Sequence, residues 1–509
     1  MKPLILLISF ILAISIISCN NVSNSYDQAS RVVISGKVLT PDSSINKVSI
    51  GLNLPGLGQE LYYSQLNSEG AFEISFETYR PTDLWLIYKT SFLVIVHPGD
   101  SIYIEFDGNS WWRPEILKSV RFEGIRKQSN EYASQFQRLY FSNPIYTNDK
   151  PINKAISEYE PEDFLKFLDT LKMHYDSILN SFVSQYNPND EVKEWASTYL
   201  ESSYYKEVVD YPLQRGFVTG QCLLSPGFPD NYFDAFLSSL PLSDSMLISG
   251  YSVIDYINLF QSYFILVDLW QLVENKKYID EKGFVRINKS ELDSLRINYM
   301  LSKINDDLFK QLLLTNHFKM DMETSGIELF EKYIDVIEKE ITLPFLINPL
   351  KKRYAIARDR LLNPTTLENT ILISLDDVSS EAVFDSILNS TNGKVSYIDC
   401  WATWCGPCMS EFPESKRLME LFKDDEVNFL FLCLESDEDK WKATIDEFDL
   451  GGIHYFLTRN QGDELKKTIN LTGYPFYLLV DSDGNIIEKG SHLRPSLAEE
   501  KIFTLIKRD

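Results

Sequence analysis

Two thiols separated by a Gly-Pro pair are the residues of this chain best suited to chemistry. Cys405 and Cys408 lie in the segment WATWCGPC at positions 401–408, directly after the apolar run VSYIDC. Two cysteines at this spacing can pass between a dithiol and a disulfide and so move two electrons. If the pair opens a helix, the unpaired N–H groups and the helix dipole stabilise the first sulfur as a thiolate. Cys405 is therefore predicted to attack a substrate sulfur, and Cys408, one turn on, to resolve the mixed disulfide.

A Cys-x-x-Cys pair can also supply half of a zinc site, so the other candidate ligands were considered. The chain has six cysteines, and no second pair has this spacing. Its five histidines are scattered and stand at positions 97, 174, 317, 454 and 492. Zinc sites need clustered ligands at characteristic spacing. The sequence therefore predicts neither a metal nor a cofactor.

Two carboxylates are placed to handle the proton that Cys408 must lose when it attacks. Asp399 lies six residues before Cys405 inside an apolar strand-like run, and Glu411 lies three residues after Cys408, one helical turn on. A carboxylate in an apolar strand has a raised pKa, which suits it to exchange protons near neutral pH. Asp399 is the stronger candidate base, because a solvated glutamate on a helix surface remains an alternative for Glu411.

These motifs resemble the thioredoxin superfamily and, within it, the TlpA/ResA-type thiol–disulfide oxidoreductases. The core WCGPC is shared with thioredoxin, and the continuation MSEFP at positions 409–413 is similar to the TlpA group. The triplet Gly473-Tyr474-Pro475 matches the cis-proline loop of the family, with tyrosine in place of the smaller residue common before that proline. The resemblance runs from roughly Ile371 to the C-terminus and implies an α/β thioredoxin-like fold there.

The resemblance also implies roles for individual residues. Asp399 corresponds to the buried aspartate of thioredoxin, and Glu411 to the glutamate of the TlpA group. Pro475 is expected to be cis, with an ordinary trans turn proline as the alternative. The backbone of Tyr474 would then lie beside the sulfurs and pair with an extended substrate strand. Trp404, next to the thiols, is expected to cover the site.

Three functions compete for this set of residues. The first is a reductase of protein disulfides, because the Gly-Pro dipeptide is that of thioredoxin, whose potential of about −270 mV marks a reductant. The second is a disulfide oxidant or isomerase, and the third is a protein-binding lipoprotein that keeps the thioredoxin fold as a scaffold. The expected partners are protein thiol or disulfide substrates, including cytochrome c apoproteins, and an upstream membrane reductant.

The N-terminus indicates where the protein works. Lys2 precedes an apolar stretch from Leu4 to Ile17, which is shorter than the ~20 residues needed to span a bilayer and is typical of a signal peptide. The run IISC at positions 16–19 resembles a lipobox, in which Cys19 would carry lipid after cleavage. An ordinary signal peptide with a chance cysteine is the alternative. A lipid-anchored protein of the cell envelope that faces the periplasm is expected.

The charge and composition of the chain disfavour nucleic-acid binding and indicate a folded protein. The net charge is −24 and the sequence pI about 4.7, which disfavours nucleic acid as a partner. A chain of 509 residues with 44% hydrophobic and 24% charged residues is typical of a folded protein of several domains.

Hydrophobic periodicity predicts a multidomain fold class with three folded units. Alternation at Phe72, Ile74 and Phe76 indicates strands in an N-terminal β-sandwich, and the spacing from Phe164 to Phe182 indicates a long amphipathic helix in a central all-α region. The predicted organisation is a lipoprotein signal peptide (1–18), a polar tether (19–30), the β-sandwich (31–110), the helical domain (111–362) and a thioredoxin-like redox domain (363–509).

Overall fold

The computed structural model describes residues 27–143, 151–219, 243–271, 286–363, 369–391, 393–425 and 427–506, together with positions 232, 277, 278 and 365. Within these residues the chain forms a sandwich of two sheets, then a helical region, then a mixed sheet with helices on both faces. The predicted fold class is confirmed. The predicted signal peptide and Cys19 lie outside the described residues, as does most of the predicted tether.

Alternating burial along the strands builds the N-terminal sandwich. In β4, for example, Phe72, Ile74 and Phe76 face the core while their neighbours are exposed. The sheets have the strand orders β4-β1-β7-β8 and β3-β2-β5-β6. The strands are β1 (Ser30–Val38), β2 (Lys47–Leu54), β3 (Gly58–Gln65), β4 (Ala71–Thr78), β5 (Thr82–Ile87), β6 (Ser91–Val96), β7 (Ser101–Phe106) and β8 (Arg121–Gly124).

The sandwich continues beyond its predicted end at residue 110. Helix α1 (Arg113–Ser119) buries Ile116 and Leu117 in the sandwich core, and β8 then pairs antiparallel with β7. After α1 the chain thus returns to complete a sheet of the sandwich.

The central region is helical, as predicted. In its long helix the positions that step by four and three are all buried, namely Phe164, Leu168, Leu171, Tyr175, Ile178 and Phe182. The helices are α2 (Lys127–Ser142), α3 (Pro151–Glu158), α4 (Pro161–Tyr186), α5 (Asp190–Thr219), α6 (Gly250–Leu259), α7 (Ile265–Gln271), α8 (Lys289–Lys303), α9 (Asp307–Ser325), α10 (Glu328–Lys332), α11 (Ile334–Glu340) and α12 (Pro344–Leu362). A π-helical turn, Phe260–Phe264, joins α6 to α7. Among the described residues, no helix is both long and apolar enough to cross a membrane.

Helix α2 attaches the helical region to the open edge of one sandwich sheet. The Asn130 side chain accepts from the Ile95 N–H at 2.7 Å and donates to the Ile95 carbonyl at 3.0 Å. In the same way, the Gln137 side chain accepts from the Leu93 N–H at 2.7 Å and donates to the Leu93 carbonyl at 2.8 Å. These amides satisfy backbone groups of the edge strand β6, which would otherwise be open to pairing with another chain.

A buried carboxylate joins the same two units. Asp83 in β5 is fully buried and accepts hydrogen bonds from the Asn53 amide at 2.9 Å, the Trp195 indole at 3.0 Å and the Tyr251 N–H at 3.0 Å. Burial raises the pKa of Asp83 to about 6, against the effect of these donors. Sandwich and helical region therefore share a desolvated interface.

The C-terminal unit is a six-stranded mixed sheet, a count that refers to the described residues. Its order is β14-β13-β10-β11-β12-β9, in which β13 alone runs antiparallel to the other five strands. Every residue of the central strand β10 is buried, because helices cover both faces. The strands are β9 (Thr370–Ser374), β10 (Val395–Trp401), β11 (Val427–Cys433), β12 (Gly452–Phe456), β13 (Phe476–Val480) and β14 (Ile486–Gly490).

The helices of this unit divide between two hydrophobic cores. One core contains side chains of α14, α15 and α17, and the other contains side chains of α13 and α16. These helices are α13 (Val383–Asn389), α14 (Gly406–Leu421), α15 (Glu438–Phe448), α16 (Arg459–Ile469) and α17 (Pro495–Ile506). The end of β10 and the start of α14 therefore lie at the carboxyl end of the parallel strands.

The helical region docks on the C-terminal unit through helix α15. Lys440 Nζ donates to the Ser325 carbonyl at 2.6 Å and lies 2.8 Å from the Glu328 carboxylate. Arg360 of α12 lies 3.4 Å from Glu447 of α15. Helix α12 thus leads into the C-terminal unit while packing against it.

Candidate active site

The two cysteines lie at the junction between the end of β10 and the start of α14. Cys405 caps the helix, and its sulfur accepts the Cys408 N–H at 3.2 Å. The two residues form a disulfide with Cα atoms 5.3 Å apart. Cys408 is fully buried and Cys405 is 4% exposed, so Cys405 is the more exposed member of the pair. In the reduced protein, a thiolate at Cys405 would be stabilised by this helix N-terminus.

Asp399 lies in β10 beneath the disulfide end of the strand. Its side chain is fully buried, and within the described part of the chain neither carboxylate oxygen has a hydrogen-bond partner. Burial, and secondarily the charge of Glu411, raise the pKa of Asp399 well above its ordinary value. A carboxylate with no hydrogen-bond or ionic partner has no evident structural role, and its raised pKa suits proton exchange.

Glu411 has a partner that sequence reasoning missed. Its carboxylate lies 2.9 Å from the Arg494 guanidinium, and the side chain is 12% exposed. Arg494 precedes α17 and is 83 positions along the chain, so no local pattern links the two. Glu411 is therefore neither freely solvated nor unpaired, and its charge acts on Asp399 from a position held by Arg494.

Trp404, Tyr474 and Pro475 lie at the mouth of the site. The Tyr474–Pro475 peptide bond is cis, as predicted. The rings of Trp404 and Tyr474 meet edge to face with centroids 5.5 Å apart. Trp404 is 49% exposed, and with Cys405 and the loop before Pro475 it lines a groove of about 560 Å³. The Tyr474 side chain therefore forms one wall of the entrance.

Glu435 was not identified from the sequence, yet it contacts both Trp404 and Lys466 at the entrance of the site. Its carbonyl accepts the Trp404 indole N–H at 3.0 Å, and its carboxylate forms an ion pair with Lys466. Its φ of 51° is unusual for a residue other than glycine. A positive φ at a non-glycine residue after a buried strand is visible only in the folded backbone.

The two other cysteines described, Cys400 and Cys433, are free and fully buried. Burial raises the pKa of both thiols, so neither carries appreciable thiolate at neutral pH. They are inert beside the Cys405–Cys408 pair. Among the described residues no cluster of three or more metal-ligating side chains is present.

Comparisons with known proteins agree with this geometry. Residues 385–505 match the Redoxin family. The chain is 28% identical over 114 residues to the thiol-disulfide oxidoreductase ResA of Bacillus thuringiensis subsp. konkukian, covering 22% of this chain and 64% of ResA. The C-terminal unit has a thioredoxin-like fold. Its redox-type cysteines, cis-proline loop and strand–helix junction are those of a thioredoxin-like domain.

Further relatives match the same thioredoxin-like domain. The chloroplastic thioredoxin-like protein HCF164 of Arabidopsis thaliana is 33% identical over 94 residues, covering 18% of this chain and 34% of that protein. The thioredoxin domain of a thiol-disulfide oxidoreductase from Bacteroides vulgatus is 24% identical, with a TM-score of 0.22, and the match covers 23% of this chain and 84% of that domain. The chain thus spans less than two thirds of the length of the ResA and HCF164 relatives named here.

Proposed function

We propose that the protein is a thiol–disulfide oxidoreductase that reduces protein disulfides through Cys405 and Cys408. The observation that supports this most strongly is the cysteine pair at the start of α14 with Asp399 buried and unpartnered behind it. The Redoxin match and the ResA relatives are consistent with the same chemistry.

The reaction proceeds in two exchanges. The Cys405 thiolate attacks one sulfur of a substrate disulfide, and the other substrate sulfur leaves as a thiol. Cys408 then gives up its proton and attacks the sulfur of Cys405, which releases the second substrate thiol. Two electrons and two protons pass to the substrate, and the protein is left with the Cys405–Cys408 disulfide. An upstream membrane reductant restores the dithiol.

The buried carboxylates serve the second exchange. Asp399 accepts the Cys408 proton, since a base must act where water is excluded. Glu411 tunes that base through its charge, and Arg494 holds Glu411 in position. Trp404 covers the disulfide, and the backbone of Tyr474 and Pro475 pairs with an extended substrate strand.

The Gly-Pro dipeptide leads us to expect a reducing potential. A redox titration of the Cys405–Cys408 couple against glutathione or dithiothreitol should give a value within some tens of millivolts of about −270 mV. The protein should also accelerate reduction of insulin disulfides by dithiothreitol. A potential close to the −120 mV of strong oxidants would instead support the oxidant or isomerase alternative.

The proposed location is the cell envelope, with the protein facing the periplasm on a lipid anchor at Cys19. There it would keep thiols of secreted or periplasmic proteins reduced, including those of cytochrome c apoproteins. An extracytoplasmic reductase needs both membrane retention and access to clients. The anchor and the tether before β1 would supply both.

Removal of the anchor gives a direct test of location. Cys19→Ala should move the protein from the detergent-soluble membrane fraction to the aqueous fraction, because each buried CH₂ of a lipid chain contributes about 0.8 kcal/mol to membrane binding. Intact mass of the wild-type protein should show a diacyl modification on a mature N-terminus at Cys19. An unlipidated N-terminus would contradict the lipoprotein assignment.

A further inference from the structure

Two cavities between the domains adjoin each other, and the second adjoins the groove beside Cys405. A cavity of about 640 Å³ separates the sandwich from α9 and α12, and one of about 370 Å³ separates these helices from the thioredoxin-like domain. Both are lined by Ala357, Arg360 and Glu447. Trp404 and Glu435 line the second cavity and also the groove beside Cys405. We refer to the three together as the interdomain groove.

All three domains form walls of the interdomain groove. The sandwich contributes Leu54 and Phe76, and α12 contributes Ile356, which is 43% exposed. The last turn of α9 and the residues after it lie opposite Trp404. The helical domain therefore faces the entrance of the redox site directly.

The charge along the groove differs from that of the whole chain. Lysine and arginine outnumber aspartate and glutamate among its lining residues, whereas the whole chain has 49 basic and 73 acidic residues. Among these side chains, Lys319 and Arg353 are paired with Glu323. Apolar side chains lie between the charges. Most of the basic side chains are ion-paired, including Arg80 with Asp244, Lys289 with Asp293 and Lys440 with Glu328. The groove therefore suits a neutral polypeptide with apolar side chains.

Close docking holds the wall opposite Trp404 in place. Gly326 follows α9 with a φ of +96°, and a Cβ there would meet the Lys440 side chain at 2.7 Å. This positive φ favours glycine, and a larger residue would also have to displace the end of the Lys440 side chain. Lys440 in turn binds the Ser325 carbonyl and Glu328. A wall fixed before binding reduces the ordering cost of holding an extended ligand.

We propose that the interdomain groove binds an extended segment of the substrate polypeptide next to its disulfide, so that the sandwich and helical domain select clients. This inference rests on the proposed oxidoreductase function. A segment seated in the groove would present its cysteine at Cys405 between Trp404 and the loop before Pro475. Its binding energy would then promote the exchange step by positioning the reacting sulfurs.

Two probe peptides of different length test the proposal on the full-length Cys408→Ser protein in detergent. Each carries one cysteine as a mixed disulfide with thionitrobenzoate. Attack by Cys405 joins the peptide to the protein and releases the coloured thionitrobenzoate anion. The short probe has a few residues around the cysteine, and the long probe adds a neutral, apolar-containing extension. We expect the long probe to react about tenfold faster, as 1.4 kcal/mol of groove binding would give.

A matched pair of variants on α12 locates the effect. Ala357 lies where the first two cavities meet, whereas Ala355 is exposed on the same helix and does not line the groove. Ala357→Trp should block the path and reduce the long-probe rate to the short-probe rate. Ala355→Trp should keep the difference. Thermal unfolding, expected to be unchanged in both variants, shows that they are folded, and Ala355→Trp should also keep the short-probe rate.

Two further outcomes would contradict the groove proposal, and a third would contradict the proposed oxidoreductase function. Equal rates for the two probes in the parent protein, or a length effect that survives in Ala357→Trp, would overturn the groove proposal. Failure of Cys405 to react with either probe would instead overturn the proposed oxidoreductase function. If a shape change at Ala357 perturbs folding, Ala357→Gln offers a milder block, for which we expect a partial loss of the length effect.

Discussion

Cys408→Ser should leave the protein covalently bound to its substrates. Cys405 can still attack, but serine cannot displace the sulfur of Cys405 from the mixed disulfide, so the second exchange stops. We expect insulin reduction to be abolished and adducts to accumulate toward one substrate per protein. Non-reducing electrophoresis and intact mass spectrometry measure the adducts, which dithiothreitol should release.

Cys405→Ser is the matched control for this result. It removes the attacking sulfur and retains Cys408, which is fully buried. We expect neither turnover nor adducts from it. Adducts in similar yield from both variants would contradict the assignment of Cys405 as the attacking residue. Adducts recovered from cells with Cys408→Ser and identified by mass spectrometry would name the clients, which we expect to be secreted or periplasmic proteins.

Asp399→Asn should slow the second exchange by about 100-fold, the lower end of the usual effect of a positioned general base. The first attack by Cys405 should remain nearly intact, since it depends on the helix N-terminus. Rapid-mixing experiments that follow formation and decay of the mixed disulfide separate the two steps. An unchanged decay rate would exclude Asp399 as the proton acceptor.

The pH dependence distinguishes a base from a structural residue. Asp399 accepts a proton only when ionised, and its pKa is raised. The decay rate of the wild type should therefore increase with pH through that raised pKa. In Asp399→Asn this increase should be lost, and the remaining dependence should follow the ionisation of Cys408. A merely structural Asp399 would leave the shape of the profile unchanged.

The stability of Asp399→Asn should not fall together with its activity. Because the pKa of Asp399 is higher in the folded protein than its ordinary value of 3.8, folding favours the protonated carboxyl. Its contribution to stability is present at low pH and declines as pH rises above about 4. Asp399→Asn removes this penalty, so the free energy of unfolding at pH 7 should stay the same or increase. Slow decay in that variant would then not be due to unfolding.

Glu411→Gln provides the comparison between the two carboxylates. Glu411 is paired with Arg494, whereas Asp399 has no hydrogen-bond partner in the described part of the chain. We therefore expect a smaller effect on decay in Glu411→Gln than in Asp399→Asn. Its pH profile should shift toward lower pH, since loss of a nearby negative charge lowers the pKa of Asp399.

Local patterns in the sequence were enough to predict much of the redox domain. The apolar run before Cys405 and the helix-starting Gly-Pro define a strand–helix junction, and the structure has β10 and α14 there. Asp399 inside that run is buried because every residue of the strand is covered. The cis Pro475 was predicted from resemblance of a short motif. In each case the signal was carried by a short stretch of sequence.

Contacts between distant segments were decided only by the tertiary structure. Arg494 reaches Glu411 across 83 positions, and Glu435 reaches Trp404 across 31. The return of β8 to the sandwich and the approach of Gly326 to Lys440 are of the same kind. Periodicity reports which face of an element is buried, but not which other element covers it. The cysteine chemistry is therefore encoded locally, whereas the partners of its carboxylates and the walls of the interdomain groove arise from how the three domains pack.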